Sequence, residues 1–189
     1  MNRMRTAGIL LAGGQSSRFG SPKAFAVEQS AYYYEYAYAA LESVCTTIVI
    51  VTLEELRHRF PEDRHVIIDC EQFSGRGPLA GIYSGMLELD AARYVVLPCD
   101  MPFIASDGLA SLLAAMPEGV DVSAVHLDSR RHPLVSCWSR SMREPLQLAL
   151  EEQRHSVLQL LDTVRTLWLD GESLFADAHR ALRNINRPE

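Results

Sequence analysis

Short apolar segments alternate with longer amphipathic segments along most of the chain. The short segments are four or five residues long and rich in apolar or β-branched residues, which is typical of buried strands. They predict six strands, at residues 8–12, 47–51, 65–68, 94–97, 121–125 and 166–169. The longer segments predict five helices, at residues 32–44, 79–89, 107–116, 141–152 and 155–161. Ser106 precedes the third of these helices and is predicted to be its N-cap.

Strands that are apolar throughout need helices on both faces, as in the parallel sheets of three-layer proteins. The alternation therefore predicts an α/β fold of Rossmann-like type, with three layers and a mainly parallel sheet. Ligands of such sheets bind beyond the carboxyl ends of the strands. We therefore expect the chemistry directly after Ala12, Ile68 and Leu97.

The length of 189 residues suits one domain, which we predict to span residues 1–189. Hydrophobic residues make up 48% and charged residues 22%, a balance that is typical of a soluble globular protein and argues against disorder. The net charge is −6 and no lysine-rich run occurs, so nucleic acid is not an expected partner.

Two further features narrow the class of protein. The apolar stretch at residues 6–12 is too short for a membrane span and runs directly into glycines, so we expect no membrane partner. The four cysteines lie far apart and form no Cys-x-x-Cys pair, which argues against a zinc site and a disulfide framework. We therefore expect a reduced, cytoplasmic protein.

A glycine-rich loop with two cations follows the first predicted strand. Gly13 and Gly14 allow a sharp turn that brings backbone N–H groups close to a ligand, and Arg18 and Lys23 supply fixed positive charge. A polyphosphate requires this combination, although the glycine spacing matches neither a Walker A motif nor G-x-G-x-x-G. A plain turn with surface cations is the alternative, but two cations in one loop after a buried strand favour a phosphate site.

Aspartates follow two other predicted strands. Asp69 comes directly after residues 65–68, and Asp100 lies between two prolines beyond residues 94–97. Magnesium prefers a carboxylate together with water and phosphate oxygens, so Asp100 is a candidate Mg²⁺ ligand. A turn or capping role is the alternative for each aspartate. The turn at Gly77 and Pro78 opens the next helix, whose N-terminal N–H groups then face the same edge of the sheet.

Two segments in the second half of the chain carry weaker signals. Residues 130–133, which read Arg-Arg-His-Pro, are predicted to form an exposed loop, in which His132 has a structural role. Bidentate contacts of the arginines with phosphate are the alternative. Residues 184–189 are predicted either to form a terminal strand whose asparagines bind a ligand or to fray as a tail.

At these motifs the chain resembles the molybdenum cofactor guanylyltransferase family. The matching segments come in the family's order and span almost the whole chain. They are LAGGQSSRFGSPKA at residues 11–24, Asp69, GPLAGI at residues 77–82, LPCDMPF at residues 97–103, RHPL at residues 131–134 and NINRPE at residues 184–189. The glycine-rich segment alone occurs in many nucleotidyltransferases, whereas the whole set is specific to this family.

The resemblance implies a nucleotidyltransferase fold and the transfer of GMP from GTP to Mo-molybdopterin, with Mg²⁺ and release of pyrophosphate. It implies that Asp100 is the Mg²⁺ ligand and that the molybdopterin side lies near the RHPL and NINRPE segments. The charge that develops on the leaving phosphates predicts that Lys23 and Arg18 act as catalytic residues beside Asp100 by offsetting it. Molybdoenzymes or their chaperones are further expected partners. The nucleotide contacts that the resemblance implies are at Leu11, Ala12, Gly13, Lys23 and Asp69. The glycine-rich loop and the metal add Gly14 and Asp100 to the predicted binding residues.

The chain departs from the family in one stretch. Family members usually carry a Gly-Lys-Pro turn shortly after the lysine, whereas residues 28–32 read Glu-Gln-Ser-Ala-Tyr here. The departure concerns this local turn and not the phosphate loop. An asparagine that some members use for the nucleotide is not evident near Thr52, so no contact is assigned there.

Three other functions stay open on the sequence alone. A cytidylyltransferase acting on the same cofactor typically shows LAAG where this chain has LAGG, and the additional glycine leaves room for a larger purine. A sugar-1-phosphate nucleotidyltransferase usually has Gly-Thr-Arg after the glycines, where this chain has Gln-Ser-Ser-Arg. A binding module without catalysis, such as a molybdopterin carrier, is disfavoured because Lys23 and Asp100 are both present.

Overall fold

The computed structural model describes residues 5–14 and 22–185 of the chain. The strands of these ranges are, in chain order, β1 (Thr6–Leu11), β2 (Val27–Glu28), β3 (Ala31–Tyr32), β4 (Thr47–Thr52), β5 (Val66–Ile68), β6 (Arg93–Pro98), β7 (Val122–Leu127), β8 (Arg130–Ser139) and β9 (Thr166–Asp170). The helices are α1 (Tyr33–Glu42), α2 (Glu54–Arg57), α3 (Pro78–Glu88), α4 (Ser106–Ala114), α5 (Arg143–Glu151), α6 (Val157–Leu161), α7 (Gly171–Leu174) and α8 (Ala178–Ala181).

Seven strands form one sheet in the order β5-β4-β1-β6-β8-β7-β9, and β2 pairs with β3 in a separate hairpin. The pairs β1–β4, β1–β6, β4–β5 and β7–β9 are parallel. Only β8 among the seven runs antiparallel to its neighbours, β6 and β7. The sheet is therefore mainly parallel, which confirms the prediction from the apolar strands.

Helices cover both faces of this sheet. Successive residues of each strand point to opposite sides, so each apolar strand contributes side chains to a buried cluster on either face. On β1, Ile9 belongs to the buried cluster that contains Ile82 of α3, while Leu10 belongs to the cluster that contains Leu41 of α1. Helices α5 and α6 contribute to the first cluster, and α4 contributes to the second. The arrangement has the three layers that the sequence pattern predicts.

All six predicted strands and all five predicted helices are present, with ends that shift by at most two residues. The prediction for Ser106 is wrong, because α4 begins at that residue. Its N-cap is Ala105, which has extended backbone and makes no side-chain capping bond. Across residues 5–14 and 22–185, no helix combines the length and the apolar composition of a membrane span.

The prediction of an exposed loop at residues 130–133 is also wrong, because these residues begin β8. The strand was missed because it opens with two arginines and contains Pro133, which cannot donate to a neighbouring strand. A bulge accommodates the proline: His132 pairs with Val125 and Ser136 with Ala124, so residues 133–135 have no partner on β7.

Two side-chain hydrogen bonds stabilise this bulge. The Ser136 hydroxyl donates to the carbonyl of Pro133 over 2.8 Å, and the buried Trp138 indole N–H donates to the Ser136 hydroxyl over 2.7 Å. The bulge turns His132, Pro133 and Leu134 toward the edge of the sheet where β1, β4, β5 and β6 end.

Candidate active site

A cavity of about 640 Å³ opens at this edge of the sheet. Seven of the eight predicted site residues border it: Leu11, Ala12, Gly13, Gly14, Lys23, Asp69 and Asp100. The structure thus brings the three predicted strand ends together, because parallel strands end at a common edge. Arg18, the eighth residue, lies outside the described residues.

The glycine-rich loop leaves β1 in close contact with the end of β4. The N–H of Ala12 donates to the carbonyl of Val51 over 2.8 Å, and the Thr52 hydroxyl donates to the carbonyl of Ala12 over 3.3 Å. A Cβ atom on Gly13 would lie 3.4 Å from the carbonyl carbon of Thr52. The two backbones therefore approach closely at Gly13, whereas Gly14 is exposed and a Cβ there would meet open space.

Lys23 reaches the cavity from a single 3₁₀ turn, Lys23–Phe25, that follows Pro22 in extended backbone. Phe25 anchors this turn, because its side chain is buried in the core and its N–H donates to the carbonyl of Pro22 over 3.0 Å. The ammonium of Lys23 lies 2.9 Å from Oδ2 of Asp100. The two side chains are 23% and 14% exposed, so solvent screens this ion pair less than it screens a surface pair.

Asp100 is held at a point where several segments meet. Its Oδ2 accepts from Lys23 and, over 3.5 Å, from the side-chain amide of Asn184. Its backbone carbonyl accepts from the N–H of Ile185 over 3.0 Å. Its other carboxylate oxygen, Oδ1, is buried and has no hydrogen-bond partner.

Magnesium fits this corner of the cavity. A buried carboxylate oxygen without a partner carries a cost that a cation or a proton donor would relieve. In nucleotide sites Mg²⁺ takes one or two carboxylates and completes its shell with water and phosphate oxygens. No group of three or more His, Cys, Asp or Glu residues with metal-binding geometry occurs in residues 5–14 and 22–185. Asp100 would therefore hold the ion together with oxygens of the substrate.

Asp69 lies at the far end of the cavity, beyond β5. Its Oδ2 accepts from the N–H of Gly75 over 3.1 Å, and burial raises the pKa of this carboxyl above its ordinary value. Behind it, the Ser84 hydroxyl accepts from the N–H of Cys70 over 2.8 Å and fixes the turn to α3. The absence of a side chain at Gly81 keeps this end open, since a Cβ there would lie 2.8 Å from Leu11 Cδ2.

The bulge of β8 forms the opposite wall of the cavity. His132 is 5% exposed, and burial, together with the charge of Arg130, lowers the pKa of its imidazole, so the ring is neutral near pH 7. The guanidinium of Arg131 is engaged elsewhere, because it pairs with Asp162 at 2.8 Å and lies 4.9 Å from the ring centre of Trp168. This wall therefore combines the uncharged side chains of His132, Pro133 and Leu134 with the guanidinium groups of Arg130 and Arg131, which also border the cavity.

The thiol nearest to the site is unreactive. Cys99 precedes Asp100 and borders the cavity, but burial raises the pKa of its thiol to about 12. At neutral pH it is therefore protonated and is a poor nucleophile.

The cavity also contains residues to which the sequence assigned no role. Thr52 ends β4 and Leu53 follows it, and the strand-end rule that selected Asp69 and Asp100 applies to them equally. Asn184 was an alternative in the C-terminal segment, and it does border the cavity, but residues 184–185 do not form a strand. The other four residues of that segment, 186–189, lie outside the described residues.

Comparison with known proteins gives a consistent result. A model of the MobA-like NTP transferase domain matches residues 8–166. A relative from Halalkalibacterium halodurans, named a probable molybdenum cofactor guanylyltransferase, is 35% identical in an alignment of 193 positions that covers 100% of this chain and 97% of the relative.

Solved structures share the architecture. Molybdopterin-guanine dinucleotide biosynthesis protein A from Archaeoglobus fulgidus aligns with a TM-score of 0.81 at 22% identity, over 97% of this chain and 93% of its own. A nucleotidyl transferase from Methanothermobacter thermautotrophicus aligns with a TM-score of 0.70 at 16% identity, over 98% and 93% of the two chains. The predicted nucleotidyltransferase fold is therefore confirmed.

Proposed function

This chain belongs to the MobA-like NTP transferase family, and we propose that it transfers GMP from GTP to Mo-molybdopterin, with Mg²⁺ and release of pyrophosphate. The coarser activity, nucleotidyl transfer in the biosynthesis of the molybdenum cofactor, follows from the family and from the full-length relative. We propose in addition that GTP is the donor, that Mo-molybdopterin is the acceptor and that Mg²⁺ is the metal.

One observation carries the proposal for the site. A glycine-rich backbone, a lysine and an aspartate from distant parts of the chain border one cavity at the carboxyl ends of the strands. Lys23 and Asp100 are in direct contact there, so a triphosphate that enters between them and Gly13 meets a cation and backbone N–H groups. This is the combination that a nucleoside triphosphate requires.

The proposed reaction is an in-line displacement at phosphorus. An oxygen of the terminal phosphate of molybdopterin attacks the α-phosphorus of GTP, and a new P–O bond forms. The bond from the α-phosphorus to the bridging oxygen breaks, and its electron pair leaves with pyrophosphate. The attacking phosphate is already ionised at neutral pH, so no side chain has to remove a proton from it.

The main obstacles are charge and orientation, because two anions must approach each other. Lys23 is positioned to offset charge on the departing pyrophosphate, and Arg18 is predicted to act with it. Asp100 would hold Mg²⁺, which when bound neutralises phosphate charge and polarises the α-phosphoryl group. No covalent intermediate is required, which agrees with the protonated thiol of Cys99 and the neutral, buried ring of His132.

The two ends of the cavity suggest where each substrate binds. The end at Leu11, Asp69 and Gly81 is kept open by the glycine and carries a carboxylate, which suits the nucleoside of GTP. The wall at His132, Pro133 and Leu134 is largely uncharged and suits the pterin, whose phosphate would then face the middle of the cavity. This arrangement agrees with the positions of the family's segments.

The direct test is turnover with purified protein, GTP, Mg²⁺ and Mo-molybdopterin, followed by pyrophosphate release and by detection of the dinucleotide. We expect both products with GTP and a much lower rate with CTP. A reaction without molybdopterin is the control for simple GTP hydrolysis.

Two outcomes would contradict the proposal. Equal rates with CTP would remove the assignment of the base. Binding of molybdopterin without pyrophosphate release, under conditions where GTP also binds, would indicate a carrier instead of an enzyme.

A further inference from the structure

Two residues that border the cavity each carry a buried side-chain oxygen without a hydrogen-bond partner. Five buried side-chain atoms in the described part of the chain lack a partner, and they belong to Asp100, Ser123, Arg143, Arg154 and Asn184. Only Asp100 and Asn184 of these five residues border the cavity. Their unpartnered atoms are Oδ1 in both cases, so both are oxygen acceptors.

From this pairing we infer that Asn184 is a second protein ligand of the divalent cation that Asp100 holds, through its side-chain oxygen Oδ1. The inference rests on the proposed function, since it concerns the metal of the same site. It adds a residue from the C-terminal segment to a site otherwise built from strand ends.

The backbone holds the two residues in a fixed relation. The N–H of Ile185 donates to the carbonyl of Asp100 over 3.0 Å, and Ile185 is buried. The side-chain amide nitrogen of Asn184 lies 3.5 Å from Asp100 Oδ2. The main-chain hydrogen bond therefore holds Asn184 beside the carboxylate. Its amide nitrogen donates to Asp100, and its Oδ1 has no hydrogen-bond partner.

The chemistry of these atoms selects a hard cation. Carboxylate and amide oxygens suit Mg²⁺ and Mn²⁺, and a protein site of this kind leaves most of the shell to water and phosphate. Lys23 already occupies Oδ2 of Asp100, so Oδ1 is the carboxylate oxygen that remains for a metal. Asn184 would contribute an oxygen without adding negative charge near the triphosphate.

The competing interpretation is that Asn184 only positions Asp100 through its amide N–H. The two roles respond differently to Asn184→Asp. As a ligand, an aspartate still offers an oxygen and adds charge, so metal affinity is kept or increased. As a hydrogen-bond donor, an aspartate fails, because it has no N–H and repels the carboxylate of Asp100.

The experiment measures Mn²⁺ binding to the full chain, by electron paramagnetic resonance of free Mn²⁺ and by calorimetry, with the non-reacting analogue α,β-methylene-GTP. We expect Asn184→Ala to weaken Mn²⁺ binding by about tenfold or more, and Asn184→Asp to bind at least as tightly as the wild type. Ser123→Ala is the matched control, because it removes an unpartnered buried oxygen away from the cavity and should leave Mn²⁺ affinity unchanged. Circular dichroism checks that each variant is folded.

The outcomes separate this inference from the proposed function. Unchanged Mn²⁺ affinity in Asn184→Ala, or equal weakening in Asn184→Asp and Asn184→Ala, would overturn the role of Asn184 as a ligand while the transferase proposal stands. If Asn184→Ala does not fold, the affinity of Asn184→Asp alone decides, and weakening there overturns the inference. Absence of Mn²⁺ binding in the wild type with the analogue would remove the metal site itself. Normal metal binding without guanylyl transfer would count only against the proposed function.

Discussion

The ammonium of Lys23 lies 2.9 Å from the carboxylate of Asp100, although 77 residues separate them in the chain. The contact joins the glycine-rich loop to the end of β6, and it neutralises both charges before any ligand enters. Because the two charges compensate each other, a substitution of either residue leaves the charge of the other uncompensated. The consequences differ for the two residues, because the lysine supplies positive charge and the aspartate supplies a carboxylate oxygen.

Replacing Lys23 with alanine should weaken the reaction without removing it. One charge-assisted contact to phosphate is worth about 1.5–3 kcal/mol, which corresponds to a loss of about 10- to 150-fold in kcat/KM for GTP. Lys23→Arg keeps the charge but not the shape of the ammonium and should fall between alanine and the wild type. Steady-state kinetics of pyrophosphate release measure both. Normal kinetics in Lys23→Ala would mean that this lysine does not contact the phosphates.

Replacing Asp100 with asparagine should remove turnover while sparing the nucleotide. The proposed Mg²⁺ would contribute several kcal/mol to stabilisation of the transition state, so kcat should fall by more than about 100-fold. In the absence of metal, GTP should bind as tightly as to the wild type or more tightly, because a negative charge has left the cavity. Calorimetric titration with GTP and EDTA gives the affinity. An unchanged kcat in this variant would show that Asp100 does not hold the ion.

Asp69 should make stability depend on pH. Burial raises the pKa of this carboxyl, so the folded state disfavours its charged form, and the residue costs stability once the pH rises above its ordinary, unfolded-state pKa. An asparagine at this position carries no charge and avoids that cost. Asp69→Asn should therefore be more stable than the wild type at pH 8, and the difference should shrink toward pH 4. Thermal unfolding at both pH values measures it. A less stable variant at pH 8 would mean that the hydrogen bond from Gly75 outweighs burial.

The sequence predicts the parallel half of the fold well, because uniformly apolar strands such as residues 47–51 have few other interpretations. It does not predict the start of β8, because two arginines and Pro133 are untypical of a buried strand. The bulge in β8 accommodates the proline within the sheet. The strand-end rule locates Asp69 and Asp100, since it needs only the direction of the strands. The contact between Asn184 and Asp100 depends on how the C-terminal segment packs across 84 residues, and no local pattern reports that.

Two glycines one turn apart on α3 should respond differently to alanine. A Cβ on Gly85 would lie within 2.8–2.9 Å of three atoms of the fully buried Ile9, so overpacking of about 1–3 kcal/mol should outweigh the helix propensity gain of about 1 kcal/mol. A Cβ on Gly81 would press only on the end of Leu11, which can move into the cavity. We therefore expect Gly85→Ala to lower the melting temperature and to leave KM for GTP unchanged. We expect Gly81→Ala to keep or raise the melting temperature and to raise KM for GTP, because Leu11 moves into the cavity. The opposite assignment would contradict the packing described for α3 on β1.

The bulge that forms one wall of the cavity should depend on the hydrogen bond between Ser136 and Trp138. Ser136→Ala leaves the buried indole N–H of Trp138 without an acceptor, which costs about 1–3 kcal/mol of the free energy of unfolding. In a Trp138→Phe background that donor is absent, so the same serine substitution should cost less, and urea denaturation of the four proteins of this double-mutant cycle measures the difference. The Pro133 carbonyl also loses its donor in Ser136→Ala, so the cavity wall loosens and KM for Mo-molybdopterin should rise while KM for GTP stays constant. An equal cost in both backgrounds would show that the indole hydrogen bond does not brace the bulge.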